Sequence, residues 1–158
     1  MRNTSVQFLV RAAIIAAVYA AVTILLAPIS YGFMQVRVSE ALCILPFFTP
    51  AAVPGLFIGC LIANFAGGLG MIDIVCGSLA TLLAAYLTSK IKHKWFAPLP
   101  AVIVNAVVIG AMLFYLGVAP LPIWMFMIYV GVGQFIACYC IGMPLLFLLQ
   151  RYKLKLFS

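Results

Sequence analysis

The stretch that decides the fold is AVIVNAVVIGAMLFYLGVAPLPIWMFMIYVGVGQFIACYCIGMPLLFLLQ, residues 101–150, which carries no charged side chain. The uncharged run begins earlier, at Trp95. A spanning helix needs about 20 apolar residues, so this run holds two spans. We place them at Ala101–Leu116 and Ile123–Gln150, with Pro120 and Pro122 in the turn. Working outward, Ile74–Ser89, Ala41–Ile72 and Ala12–Val36 are also free of charge. The chain is 68% hydrophobic and 7% charged, whereas soluble domains are nearer half apolar and a quarter charged. At 158 residues no water-soluble fold hides that much apolar surface. Lipid is therefore the expected solvent. The expected class is an all-α integral membrane protein forming a single domain over residues 1–158.

The remaining helices follow from the prolines and glycines. One span is expected at Val6–Ala27, closed by Pro28 and retained as an anchor rather than cleaved. Pro46, Pro50 and Pro54 crowd the next apolar piece and Gly67, Gly68 and Gly70 end it. Short helices are placed there at Ser39–Phe48 and Pro54–Ala66, the first needing shelter from neighbouring protein. A further helix is placed at Met71–Ser89, giving six. Alternation of the kind a transmembrane barrel requires is missing from the sequence.

Charge sets the orientation. Arg2 and Arg11, then Lys90, Lys92 and Lys94, then Arg151, Lys153 and Lys155 fall on one side if the crossings are even in number. The positive-inside bias makes that side cytoplasmic, with both termini. The net charge of +7 is explained by topology and does not call for nucleic acid. Arg37, Glu40 and Asp73 are left alone on the outer side. A charge against an apolar helix costs a few kcal/mol unless compensated, so these three are expected to pair with each other, with a ligand, or with both.

Candidate site residues gather around them. Tyr31, Phe33, Gln35, Arg37, Ser39 and Glu40 read as a lid over an outward pocket, or as an interfacial loop with an Arg37–Glu40 ion pair. Asn64 and Asp73 bracket the glycine turn; Asp73 also suits a helix N-cap or first turn. Asn105 and Gln134 lie inside helices, where they either face a cavity or bond helix to helix. Trp124 is a belt anchor or a stacking platform. Ala12, Ala16 and Ala20, and likewise Ala13, Ala17 and Ala21, make two small-residue faces suited to close helix approach. The five cysteines form no C-x-x-C pair and read as small buried hydrophobes. His93 belongs to a basic loop. No phosphate-binding loop, zinc motif or other cofactor signature is found in the sequence, so ATP would have to be used by another protein.

Three blocks carry a resemblance: Gln35-Val-Arg-Val-Ser-Glu-Ala-Leu, Pro54-Gly-Leu-Phe-Ile-Gly-Cys-Leu-Ile-Ala-Asn64, and Asp73-Ile-Val-Cys-Gly-Ser-Leu-Ala-Thr-Leu-Leu-Ala84. In combination they resemble the QueT family of substrate-binding S components of energy-coupling factor (ECF) transporters, assigned to a queuosine precursor. The resemblance implies a six-helix bundle in a bacterial plasma membrane. It implies binding of a 7-deazaguanine, aminomethyl-deazaguanine or queuine, near the outer face. It also implies docking of one alanine face on a transmembrane coupling subunit driven by two ABC ATPases. Chemically, Glu40 or Asp73 suits an amine, Asn64, Gln35 or a carboxylate suits a guanine-like edge, and Tyr31, Phe33 or Trp124 suits a flat ring. A vitamin-like micronutrient suits much the same set. The other classes weighed are a membrane-embedded enzyme on lipid substrates and a structural subunit without a ligand.

Overall fold

The computed structural model describes residues 4–30, 37–68 and 70–156, and every element among them is helical. Helix α1 spans Thr4–Leu25 and α2 spans Ala27–Ser30. Pro28 falls in the first turn of α2, where a missing N–H costs no intrahelical bond. A 3-10 helix follows at Val38–Phe47, then α3 at Ala52–Gly67 and α4 at Met71–Lys90. Gly68, with φ +70°, supplies the left-handed cap that ends α3. Helix α5 is Leu99–Tyr115. Helix α6 (Ile123–Phe135), a π-helical segment (Ile136–Ile141) and α7 (Gly142–Leu156) run on from one another.

Among the described residues, four helical stretches are long and apolar enough to cross a membrane: Ser5–Leu25, Met71–Lys90, Lys94–Tyr115 and Ile123–Tyr152. Val38–Phe47 and Ala52–Gly67 are apolar but shorter. All six expected helices are thus present as elements, while four have spanning length. Large apolar side chains such as Leu9, Leu79, Ile103 and Ile128 stay exposed, as a lipid-facing surface requires.

The short helix expected at Ser39–Phe48 is wound as 3-10 rather than α. Ten residues reach about 20 Å at the 3-10 rise, against about 15 Å as α-helix, still short of a ~30 Å hydrocarbon core. Seven of its ten residues are buried, so neighbouring helices shelter it. With three residues per turn, positions three apart eclipse. The cap residue Arg37 is thereby aligned with Glu40, Cys43 and Pro46 on one ridge. That ridge positions the site.

Helices α1 and α3 meet backbone to backbone. A Cβ built on Gly55 would lie 2.8 Å from the Ala12 carbonyl oxygen, and one on Gly59 would lie 2.8 Å from that of Ala16. Ala12, Ala16 and Ala20 are buried, whereas Ala13, Ala17 and Ala21 are exposed. One small-residue face is therefore used inside the chain, and the other looks outward. Gly59→Ala is expected to lower stability in detergent by about 1–3 kcal/mol through overpacking. Ala13→Val should leave the melting temperature unchanged; equal losses from both would contradict this packing.

Candidate functional site

Arg37, Glu40 and Asp73 lie together inside the bundle. Arg37 is 3% exposed, Glu40 1% and Asp73 0%. Arg37 Nη2 stands 3.6 Å from Asp73 Oδ1, so the ion pair joins the 3-10 helix to α4. The sequence leads us to expect pairing among these three charges or with a ligand, with Arg37–Glu40 as one alternative; the ion pair in the structure joins Arg37 to Asp73. Burial makes that pairing consequential, because an unpaired charge at this depth is strongly disfavoured.

Glu40 draws its partners from three other places. Tyr19 on α1 donates its hydroxyl to Oε1 at 2.6 Å. Cys43, next on the 3-10 ridge, donates its thiol to Oε2 at 2.8 Å. Asn105 on α5 donates Nδ2 to Oε2 at 3.4 Å. The Glu40 carbonyl accepts from the Cys138 thiol of the π-helical segment at 3.5 Å. That thiol also lies 3.7 Å from Gln134 Oε1. Thr23 and Ser39 share a hydroxyl hydrogen bond of 2.6 Å, and Thr23 Oγ1 also donates to the Tyr19 carbonyl at 2.8 Å. Glu40 is thus the node at which α1, the 3-10 helix, α5 and the last helical run are tied.

The Asp73 half is built differently. Gly70 caps α4 without side-chain help, so Asp73 sits in the first turn and is not the cap. Asn64 on α3 donates Nδ2 to the Asp73 carbonyl at 3.1 Å and lies 3.5 Å from Cys60 Sγ. Cys60 also receives Thr81 Oγ1 at 3.3 Å and Arg37 Nη1 at 3.9 Å. Asn64 Oδ1 and both Asp73 carboxylate oxygens, all buried, accept no hydrogen bond among the described residues. Satisfied buried groups are the rule in folded proteins, so these three oxygens call for an explanation.

Of the residues expected at the site, Arg37, Glu40, Asn64, Asp73, Asn105 and Gln134 converge. Tyr31, Phe33 and Gln35 lie outside the described residues. Trp124 does not join them: it is 58% exposed at the start of α6, as a belt residue would be. Tyr19, Thr23, Cys43, Cys60, Thr81 and Cys138 were not singled out as site residues, yet they bind the cluster together. The five cysteines are free; Cys43, Cys60 and Cys138 are buried as expected of small hydrophobes, whereas Cys76 is half-buried and Cys140 exposed, and the three buried thiols also make polar contacts. The i, i+3 spacing of Glu40 and Cys43, and the i, i+4 spacing of Cys60 and Asn64, were the available signals.

Apolar helices of spanning length closed around a buried, partly unsatisfied charged cluster define a helical membrane protein with a candidate internal site. Residues 9–151 match the family model described as QueT transporter, and the chain belongs to that family. The family is one of transporters, so the chain is not an enzyme. A curated relative, the queuosine precursor transporter QueT of Lactococcus lactis subsp. cremoris (strain MG1363), is 35% identical over 102 residues. That match spans 61% of this chain and 60% of the relative's length. No solved structure matches the chain.

Proposed function

We propose that the chain is the S component of an ECF transporter and binds a 7-deazaguanine precursor of queuosine. In this reading it crosses the bacterial plasma membrane six times, with the two shorter helices completing the bundle and both termini cytoplasmic. Arg37, Glu40, Asn64, Asp73, Asn105 and Gln134 form or support the substrate site. The observation that carries the reading is the buried Arg37–Asp73 pair beside acceptors with no donor, in a chain of a transporter family. Charges kept at membrane depth mark substrate pathways by default.

The energy comes from elsewhere. A transmembrane coupling subunit carries two ABC ATPases that use ATP, and this chain holds no cofactor. Ala13, Ala17 and Ala21 are the face offered to the coupling subunit, since Ala12, Ala16 and Ala20 are consumed against α3. Small residues there allow close helix approach.

Uptake of radiolabelled 7-aminomethyl-7-deazaguanine into cells tests both statements. Uptake is expected only when the coupling module is co-expressed. Ala17→Leu should reduce it to background while binding by the purified chain is unchanged. Uptake without the module, or full uptake by the Ala17→Leu protein, would contradict the proposal.

A further inference from the structure

Building on the queuosine-precursor reading, we infer that Asp73 and Asn64 form the subsite that reads the hydrogen-bond-donor edge of the guanine-type ring, while Glu40 is an internal brace. The two carboxylates are equally buried but unequally occupied. Glu40 accepts from Tyr19, Cys43 and Asn105. The Asp73 carboxylate accepts no hydrogen bond among the described residues, and its 3.6 Å contact with Arg37 is longer than a hydrogen bond.

Asn64 adds a third acceptor. Its amide nitrogen is committed to the Asp73 carbonyl and Cys60, which fixes the opposite atom as the oxygen, and that oxygen has no donor. Gly77 holds the two side chains side by side. A Cβ there would lie 2.4 Å from Asn64 Nδ2 and 3.8 Å from Asp73 Oδ1. The bare backbone of α4 makes room for the amide next to the carboxylate.

Three neighbouring buried acceptors call for a ligand edge made of donors. The ring N–H and exocyclic amine of a 2-aminopyrimidinone present two parallel donors that a carboxylate accepts in bidentate fashion. The second amine hydrogen is available to Asn64 Oδ1. An ammonium is the poorer match, because the Arg37 guanidinium already stands against Asp73 and a second cation would be repelled. The aminomethyl arm is on the five-membered ring, at the far end of the bicycle from this edge.

Calorimetric titration of the detergent-purified full chain separates the possibilities. Three probes are used: 7-aminomethyl-7-deazaguanine, its 7-cyano counterpart, and the aminomethyl compound lacking the 2-amino group. Wild type should bind the desamino probe roughly 100-fold more weakly than the parent. Asp73→Asn should weaken both 2-amino compounds roughly 100-fold and hardly change the desamino probe, since the missing contact is already lost. Wild type binding the desamino probe as tightly as the parent overturns the inference without needing any variant. An Asp73→Asn loss confined to the ammonium-bearing compounds also overturns it and assigns Asp73 to the arm. If wild type binds none of the three, the queuosine-precursor reading fails and this inference falls with it. Binding with the wrong pattern sinks the inference alone.

Discussion

Replacing Arg37 with methionine is expected to destabilise the purified protein by about 3–5 kcal/mol, and replacing Asp73 with asparagine at the same time should restore most of that loss. Methionine fills much of the arginine's volume, so packing is largely kept. What changes is the charge: Asp73, fully buried, loses the cation 3.6 Å away. An anion left alone in a low-dielectric interior costs more than the ion pair contributed. The double replacement leaves two neutral side chains and removes that penalty. Thermal unfolding in detergent, followed by tryptophan fluorescence, reads the effect. Substrate affinity should fall in both proteins, because Asp73 is altered or unpaired in each. A double variant no more stable than Arg37→Met would show that the pair does not act as a unit.

Glu40→Ala is expected to cost a similar amount, about 3–5 kcal/mol, for a different reason. It strips the acceptor from the Tyr19 hydroxyl, the Cys43 thiol and the Asn105 amide together. Each buried donor left without a partner costs about 1–3 kcal/mol, and water entering the space recovers part. Glu40→Gln keeps one oxygen for Tyr19 but turns an N–H toward Cys43 and Asn105. Its loss should be smaller, about 1–2 kcal/mol, because the Asn105 amide can rotate to offer its oxygen. The order wild type, Gln, Ala in melting temperature is the expected result. A Glu40→Ala protein that melts like wild type but has lost its ligand would make Glu40 a ligand contact instead of a brace.

Much of this site was legible in the sequence because charge is rare in it. With nine basic residues sorted by topology, Arg37, Glu40 and Asp73 stood out with no structural information. Their pairing was not legible. It depends on the 3-10 winding of Val38–Phe47, which aligns Arg37, Glu40 and Cys43, and hydrophobic pattern does not separate a 3-10 from an α-turn. The roles of Cys43, Cys60 and Cys138 were also hidden, since the residue type does not say whether a buried thiol has an acceptor within reach. Tyr19 is an aromatic in an alanine-rich helix, and only the fold brings its hydroxyl to a carboxylate 21 positions away.

The alanine faces offer a contrasting lesson. Spacing by four gave two equivalent sets on α1. The tie is broken by Gly55 and Gly59, also four apart, whose missing side chains admit Ala12 and Ala16. Both glycines sit in the Pro54–Asn64 block, so the matching interval was present in the sequence and went unpaired with α1. Trp124 shows the opposite limit. An aromatic at a helix start fits a belt anchor first and a binding platform second, and its exposure sets it apart from the buried cluster.

The most direct test of the central claim is calorimetry on the wild-type chain alone, titrated with 7-aminomethyl-7-deazaguanine in the absence of coupling subunit and ATP. Saturable, stoichiometric binding that an excess of an unrelated vitamin does not displace is the predicted result. No heat with any deazaguanine, or tight binding of a vitamin instead, would contradict it.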